Sequence, residues 1–273
     1  MPELPEVETV CRSLRPHLIG RTIARIQVIE PRLRMLVDVV ALTSLAGKKV
    51  EQISRIAKYI VLHLSDDAAW LFHLGMSGKL ICATPGTARR KHDHIVVDLD
   101  DGSELRYHDP RRFGLSIVAD HSTLIALPQL RHLGIDPFDA TLTGDYLFNF
   151  TRSSERRIRD LLLDQQIIAG LGNIYANEIL ALSGIRPTTR AHRLTRRQVS
   201  AIAAVIPQLL SEAIRWCGTS FSDYRDADDK SGEFQNHLRV YDRAGERCRA
   251  CPGAIKRVAI GNRSAFYCPG CQK

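Results

Sequence analysis

The chain has 273 residues, 44% hydrophobic and 25% charged, and its 38 Lys and Arg against 30 Asp and Glu give a formal charge of +8. This composition excludes a disordered or low-complexity protein, and the length predicts two or three compact units with substantial cores. Because the sequence has neither a run of about 18 apolar residues nor a secretory start, we predict a cytoplasmic protein without membrane segments.

The first predicted elements are a helix and a set of short strands. Apolar residues recur at helical spacing from Glu3 to about Leu18, and Gly20 offers a stop. Six runs rich in β-branched residues then alternate with turn residues, over 22–29, 58–64, 69–74, 94–99, 103–107 and 113–119. Their length and regular spacing predict an antiparallel β-sandwich flanked by the first helix.

After Asp136-Pro137 the pattern becomes helical. We predict helices over 156–163, 176–182 and 196–216, the last opened by a capping box from Thr195 to Gln198 and kinked at Pro207. The expected buried stripe of the last helix consists of Val199, Ile202, Ile206, Leu209 and Ile214. The stretch Thr219 to Glu233 is polar and predicts a mobile loop.

Cysteine spacing in the C-terminal tail indicates a metal site. Cys248 with Cys251 and Cys268 with Cys271 form two C-x2-C pairs separated by sixteen residues, which fits one structural Zn²⁺ held by four thiolates. A redox dithiol, the alternative, would need only one pair. The three isolated cysteines, at 11, 82 and 217, are expected to be small core residues.

The tail is also basic. From residue 239 to 273 there are eight Lys or Arg against two Asp or Glu. This concentration of positive charge favours a polyanionic partner. A solvated basic face without a partner would show the same composition.

The start of the chain carries a candidate nucleophile. Removal of Met1 before a small residue would leave Pro2 as a free secondary amine, which can attack an aldehyde carbon such as C1′ of a sugar. Glu3 would stand beside this amine as a proton carrier, and Glu6, one turn on, could orient it. Taken alone, these residues fit the first turn of any helix equally well.

Six further phrases occur in the order found in one family, and the last of them is the cysteine module. Together with Met1-Pro-Glu-Leu-Pro-Glu-Val-Glu8, they resemble the formamidopyrimidine-DNA glycosylases, also called the Fpg or MutM family, over nearly the whole chain. The other five phrases are Lys58-Tyr59, His73-Leu-Gly-Met-Ser-Gly78, Lys91-His-Asp-His94, Arg106-Tyr-His-Asp-Pro-Arg-Arg-Phe-Gly114 and Gly170-Leu-Gly-Asn-Ile-Tyr-Ala-Asn-Glu178.

The resemblance implies a role for each matching residue. The family's nucleophilic proline matches Pro2 and its catalytic glutamate matches Glu3. Its hairpin lysine, which contacts phosphate and assists β-elimination, matches Lys58. Arg263 matches the finger arginine that grips phosphate and serves δ-elimination, and Glu178 would lie in the active-site wall.

The resemblance also implies contacts with DNA. Extracting a base from the stack leaves a gap, which apolar wedges and a planar guanidinium can fill. Met76, Arg111 and Phe113 match the inserted residues, with Arg111 facing the base opposite the lesion. His92 and Asn173 match phosphate contacts.

Two departures from the family pattern concern the same phosphates. The family usually places lysines where this chain has Ser153-Ser-Glu-Arg-Arg-Ile-Arg159, so Arg159 is only a candidate replacement contact. In the family, the finger arginine is commonly followed by a small residue and then a threonine. This chain has Ser264-Ala265 at these positions, so the threonine hydroxyl is lost.

We therefore predict an α+β multidomain protein. Its parts would be a helix-flanked antiparallel β-sandwich over residues 1–135, a helical helix-two-turns-helix (H2TH) domain over 136–231 and a zinc-finger module over 232–273. It would act as a monomer on double-stranded DNA held in a basic cleft, as a base-excision-repair glycosylase and abasic-site lyase for oxidised purines. The alternatives are an endonuclease VIII-like glycosylase for oxidised pyrimidines and a non-catalytic DNA-binding zinc protein on the same scaffold.

Overall fold

The structure is a computed structural model that describes residues 1–221 and 224–273. The chain forms two compact units, one made of Met1–Arg131 with Trp216–Gln235, the other of His132–Arg215 with Asn236–Lys273. The three-part division predicted from the sequence stays a prediction. Among the described residues, no helix is both long and apolar enough to cross a membrane.

The first unit contains the predicted β-sandwich. Two four-stranded antiparallel sheets run in the orders β1-β6-β7-β5 and β2-β3-β4-β8. The strands are β1 (Ile23–Val28), β2 (Val50–Ile56), β3 (Tyr59–Leu64), β4 (Ala68–His73), β5 (Lys79–Ala83), β6 (Asp93–Leu99), β7 (Glu104–His108) and β8 (Leu115–Asp120). All six predicted strands are confirmed, as β1, β3, β4, β6, β7 and β8. The sequence did not predict β2 and β5.

The first helix covers one side of this sandwich. Helix α1 (Leu4–Leu18) places Val7, Val10, Leu14 and Leu18 in a core shared with Trp70 and other side chains of both sheets. The helix predicted from Glu3 to Leu18 is thus confirmed. A short helix, α2 (Val39–Thr43), begins where the Asp38 carboxylate accepts a hydrogen bond from the Ala41 amide at 2.9 Å.

The second unit is helical and ends in a two-stranded hairpin. Its elements are α3 (Gly144–Thr151), α4 (Ile158–Leu162), α5 (Asn173–Leu182), α6 (Arg196–Arg215), β9 (Lys256–Ile260) and β10 (Arg263–Tyr267). The predicted capping box of α6 is present, because the Thr195 amide donates to Gln198 Oε1 at 3.0 Å and the Gln198 amide to Thr195 Oγ1 at 3.3 Å. All five residues of the predicted stripe are buried, and α6 runs unbroken through Pro207.

The segment predicted as a mobile polar loop, Thr219–Glu233, packs on the first unit where the structure describes it. Ala227 is fully buried, its amide donates to Ser13 Oγ at 3.0 Å, and its carbonyl accepts from the Cys82 amide at 3.0 Å. Tyr224 joins the sandwich core. Residues 222 and 223, which belong to the same predicted loop, lie outside the described residues.

Candidate active site and nucleic-acid interface

A buried carboxylate organises the start of the chain. Glu3 is the N-cap of α1 and Glu6 occupies the third helical position, where its carboxylate accepts the Glu3 amide at 2.8 Å. The same carboxylate accepts the Thr219 amide at 2.8 Å. Glu6 is only 1% exposed, so its carboxylate oxygens face protein groups rather than solvent. The side chain thereby holds in place the backbone that follows Pro2. The predicted role of Glu6 in orienting the amine stays a prediction.

The residue before Thr219 must be small. Gly218 has a φ of +77°, and a Cβ there would lie 2.8 Å from Glu6 Oε1 and 2.9 Å from Glu6 Cγ. A side chain would therefore have to displace the carboxylate that fixes the first turn of α1. The segment after α6 and the chain start thus form one packed assembly within the first unit.

Lys58 lies at the tip of a tight hairpin. Ile56 pairs with Tyr59, so Ala57 and Lys58 form the two-residue turn between β2 and β3, and Ala57 takes a φ of 53° as such turns require. Lysines are rarely buried, yet Lys58 is only 7% exposed. The predicted hairpin position is confirmed, and the burial sets Lys58 apart from an ordinary solvated lysine.

His73 connects this lysine with the chain start. Its pKa is lowered to about 4, chiefly by burial and further by the positive charges of Lys58, Arg34 and the N-terminus. Its ring lies 4.9 Å from that of Tyr59, and its Nδ1 accepts the Gly75 amide at 3.0 Å. The positive charges of Lys58 and of the N-terminal amine, here that of Met1, both disfavour protonation of this buried imidazole.

We expect His73 to make the fold sensitive to acid. Its pKa falls from the ordinary value of 6.5 to about 4 on folding, so between these pH values the unfolded chain binds more protons and the folded state is disfavoured. Stability present above pH 6.5 should be lost as the pH falls to 4, by at most about 3 kcal/mol. Urea unfolding at pH 7, 5.5 and 4 measures the effect.

The matched variant for this measurement is His73→Asn. Asparagine can place a side-chain acceptor near the Gly75 amide but does not titrate. The loss of unfolding free energy between pH 7 and 4 should therefore be smaller in the variant. Parallel pH profiles for the two proteins would contradict the assignment.

The predicted wedge residues lie exposed on two loops of the first unit. Met76 is 42% and Phe113 47% exposed, and the Arg111 guanidinium lies 4.8 Å from the centre of the Phe113 ring. Arg112 between them takes a φ of 55°, a strained conformation for a residue with a side chain. Exposed apolar side chains held this way are typical of a surface that meets a partner. His92, on a neighbouring loop, is half-buried.

Arg159 does not lie on the surface. Its side chain is 1% exposed, and its Nη2 and Nε donate to Asn173 Oδ1 at 2.6 and 3.2 Å. Burial lowers its pKa, while the adjacent Asp160 acts in the opposite direction. The expectation that Arg159 contacts phosphate directly does not fit this burial, and the geometry instead makes it a positioning residue for Asn173.

Asn173 and Asn177 join α5 to the hairpin of β9 and β10 within the second unit. Asn173 Nδ2 donates to the Ser264 carbonyl at 3.1 Å, and Asn177 Oδ1 accepts the Phe266 amide at 2.8 Å. The predicted phosphate-binding turn and the hairpin that carries Arg263 are therefore fixed relative to one another.

Glu178 is enclosed by backbone. Its carboxylate accepts the amides of Arg239, Val240 and Tyr241 at 2.7 to 2.9 Å, and its side chain is 1% exposed. Burial raises its pKa, and these three hydrogen bonds oppose the rise. The catalytic role in the active-site wall that the resemblance implies for Glu178 stays a prediction. Its contacts show that it holds the segment that leads into the cysteine module.

A basic groove opens on the second unit. It has a volume of about 410 Å³. Its lining includes four arginines and two carboxylates, namely Arg156, Arg157, Arg159, Arg263, Asp160 and Asp164. Arg156 is paired with Asp164 at 2.7 Å. Arg263 is exposed at the first position of β10. Several guanidinium groups around one groove form a site suited to a phosphate.

The four tail cysteines form one cluster. Their sulfur atoms all lie within 4.8 Å of one another, with Cys251 and Cys268 3.4 Å apart and Cys248 and Cys271 3.9 Å apart. The core prediction is confirmed for Cys11, which is buried and whose pKa burial raises to about 12. Cys82 is half-buried and packs against the same core. The core prediction is wrong for Cys217, which is exposed.

Comparison with known proteins decides the family. A model of the formamidopyrimidine-DNA glycosylase N-terminal domain matches residues 1–116, and a model of the H2TH domain of the same enzymes matches residues 133–225. The chain belongs to the formamidopyrimidine-DNA glycosylase family. Proteins of that name from Thioalkalivibrio sulfidiphilus and Hahella chejuensis are 44% and 41% identical to it, over the full length of both chains in each pair.

Solved structures of the family agree. A Lactococcus lactis mutant enzyme bound to DNA containing Fapy-dG has a TM-score of 0.92 and 33% identity, covering 100% of both chains. The Lactococcus lactis enzyme bound to DNA with an abasic site has a TM-score of 0.92 and 32% identity, covering 99% of each chain. The predicted Fpg fold, with its sandwich, H2TH domain and cysteine cluster, is thereby confirmed.

Sequence reasoning missed the residues that position the site in this family member. His73, Asp109 and Asn177 lie inside the phrases that carry the resemblance, yet none was singled out. Each side chain is polar and buried. His73 and Asn177 stand in largely apolar runs, whereas Asp109 stands among charged residues. A buried polar group must find partners, so its presence is the one signal that the sequence offered.

Proposed function

We propose that this member of the formamidopyrimidine-DNA glycosylase family removes oxidised purines, such as 8-oxoguanine and formamidopyrimidines, from double-stranded DNA and then cleaves the strand as an abasic-site lyase. The observation that carries the proposal is the arrangement at the chain start. Glu3, Glu6 and Lys58 are all buried, and the Glu6 carboxylate accepts the amides of Glu3 and Thr219. The predicted cytoplasmic location, with the chromosomal DNA, and the monomeric state stay predictions.

The first chemical step belongs to the amine of Pro2 once Met1 is removed. Its lone pair forms a bond to C1′ of the lesion while the C1′–base bond breaks, and the departing base takes a proton that the Glu3 carboxyl can deliver. Glu6 does not need to touch the sugar. It fixes the turn of backbone on which Pro2 and Glu3 stand, through its bonds to the Glu3 and Thr219 amides.

Strand cleavage follows from an iminium ion between Pro2 and C1′. This ion forms when the C1′–O4′ bond breaks and the ring oxygen takes a proton, which the Glu3 carboxyl can deliver. The iminium acidifies the C2′ proton, and its removal expels the 3′ phosphate as β-elimination. Removal of the C4′ proton from the conjugated product then expels the 5′ phosphate as δ-elimination. We assign Lys58 to phosphate contact and proton transfer in the first elimination, and Arg263 to the second. His92 and Asn173 would hold the flanking phosphates.

We further propose that the four cysteines hold one structural Zn²⁺. Four thiolates about 2.3 Å from one tetrahedral ion lie about 3.8 Å from each other. The measured separations of 3.4 and 3.9 Å fit that arrangement. The amides of Ala250 and Gly253 each donate to a cysteine sulfur at 3.4 Å, as expected for thiolates. When bound, the ion would supply folding energy to the tail and take no part in the chemistry.

An incision assay tests the proposal. The purified protein is incubated with duplexes that contain 8-oxoguanine, thymine glycol or no lesion. Excision of 8-oxoguanine followed by cleavage on both sides of the site supports it, and an inactive protein overturns it. The thymine glycol duplex tests action on oxidised pyrimidines. This second candidate is favoured by one similar structure, that of the Lactococcus lactis enzyme in complex with DNA containing an oxidised pyrimidine.

Arg263 should contribute one phosphate contact. Replacement by Ala is expected to lower the slope of log affinity against log salt by about one, because one fewer counterion is released on binding. Arg12→Ala is the control, since Arg12 is an exposed cation of α1 that pairs with Glu8. Equal slopes for the wild type and the Arg263 variant would count against the contact.

A further inference from the structure

We infer that Asp109 and Ser77 are positioning residues that lock the two wedge loops, 74–78 and 109–114, into one rigid insertion device. The inference rests on the proposed function, because it concerns how the lesion leaves the stack. Asp109 is fully buried and Ser77 is 4% exposed. Neither residue reaches the surface that would meet DNA, so each acts through the exposed residues beside it.

The Asp109 carboxylate joins the two loops directly. Its Oδ1 accepts the Ser77 hydroxyl at 2.7 Å, next to Met76, and its Oδ2 accepts the Gly114 amide at 2.9 Å, next to Phe113. Its Oδ2 also accepts the Tyr107 hydroxyl at 3.3 Å. One carboxylate thus spans both loops and the strand β7 beneath them.

Ser77 extends the lock to the third wedge residue. Its oxygen accepts the Arg111 amide at 3.2 Å while its hydroxyl proton goes to Asp109. The order of donors is therefore Arg111 amide, Ser77 hydroxyl, Asp109 carboxylate. Removing the middle member leaves the Arg111 amide without this acceptor and the carboxylate without one of its donors.

Close packing of backbone supports the same reading. A Cβ at Gly75 would lie 2.5 Å from the carbonyl carbon of Phe113, and one at Gly114 would lie 2.6 Å from the His73 carbonyl oxygen. The loops touch where no side chain fits, so a shift of one loop must move the other. A wedge acts by displacing a stacked base. If the loops could move when the wedge residues press on the base stack, those residues would displace the base less effectively.

The inference is tested with Ser77→Ala and Asp109→Asn, using excision of 8-oxoguanine paired with cytosine. Each variant is expected to be about tenfold slower, as for the loss of one or two buried hydrogen bonds. The lesion is then placed opposite an abasic analogue, where less pairing has to be broken, and the defect should shrink to about twofold. A defect of the same size on both duplexes would indicate general damage and overturn the inference.

The matched control is Ser116→Ala. Ser116 lies in β8 of the same unit, is 8% exposed and accepts the Trp70 indole N–H at 2.8 Å, so its loss also costs a buried hydrogen bond. It should excise at the wild-type rate on both duplexes. If Asp109→Asn fails to fold, Ser77→Ala decides the question. If Ser77→Ala excises the lesion at the wild-type rate, the inference alone is overturned. If the wild-type protein is inactive, the proposed function is overturned as well.

Discussion

Replacing Pro2 by glycine is expected to slow excision of 8-oxoguanine by roughly 10²-fold or more, which is the order of effect of one group that acts directly in the transition state. Glycine leaves a primary amine without the ring that holds the nitrogen in place. Folding should be unaffected, because the start of α1 is held by Glu3 and Glu6 rather than by Pro2. Single-turnover excision and thermal unfolding measure the two quantities.

Borohydride trapping separates the nucleophile from its proton carrier. Reduction of the iminium should yield a covalent complex with wild-type protein, and acylation of the N-terminal amine should abolish it. Glu3→Gln should lose excision of an intact lesion yet still be trapped on a preformed abasic site, where no base has to be protonated. Undiminished trapping after the amine is blocked would exclude Pro2 as the nucleophile.

Replacing Cys248 by serine is expected to remove the metal and most of the DNA affinity. A four-thiolate site that loses one ligand binds Zn²⁺ far more weakly, and such sites supply apparent binding energies on the order of 10 kcal/mol to small modules. The hairpin that carries Arg263 should then lose its order. Metal content by emission spectroscopy should fall from one equivalent toward zero, with DNA affinity falling by about tenfold or more.

Cys217→Ser is the control for that experiment, since Cys217 is the exposed cysteine outside the cluster. It should retain one equivalent of zinc and the wild-type affinity. One equivalent of zinc in Cys248→Ser would refute the four-thiolate site.

Local spacing made only part of the chemistry of this chain predictable. The two C-x2-C pairs place their thiols within a few residues, so the sequence indicates a metal site without knowledge of the fold. Pro2 and Glu3 fit the first turn of any helix, and only the family resemblance assigns them a chemical role. The strands with dense apolar residues, such as β3 and β4, were as clear as the cysteine pairs. In contrast, β2 buries only Val50 and Ile53 fully and carries polar residues between them, so its sequence resembles a loop.

Residues whose partners are distant in the chain could not be assigned in the same way. Glu178 bonds to amides more than sixty positions away, and Arg159 bonds to Asn173 across an intervening turn. Both carry charges typical of catalysis or DNA binding, and only the tertiary structure shows that these charges are enclosed. Asp109 was overlooked for the related reason that its burial depends on two loops meeting.

The three amides bound to Glu178 also determine how much of the tail would unravel without metal. Arg239, Val240 and Tyr241 are tied to α5 by contacts that involve no cysteine. The strand β10 is tied to α5 in the same way, through Asn173 and Asn177. Chelation of the proposed Zn²⁺ should therefore expose first the stretch between these two anchors, residues 242–262, and protease should cut there. The metal-free protein would be nicked in its basic tail while its sandwich and helices stay intact.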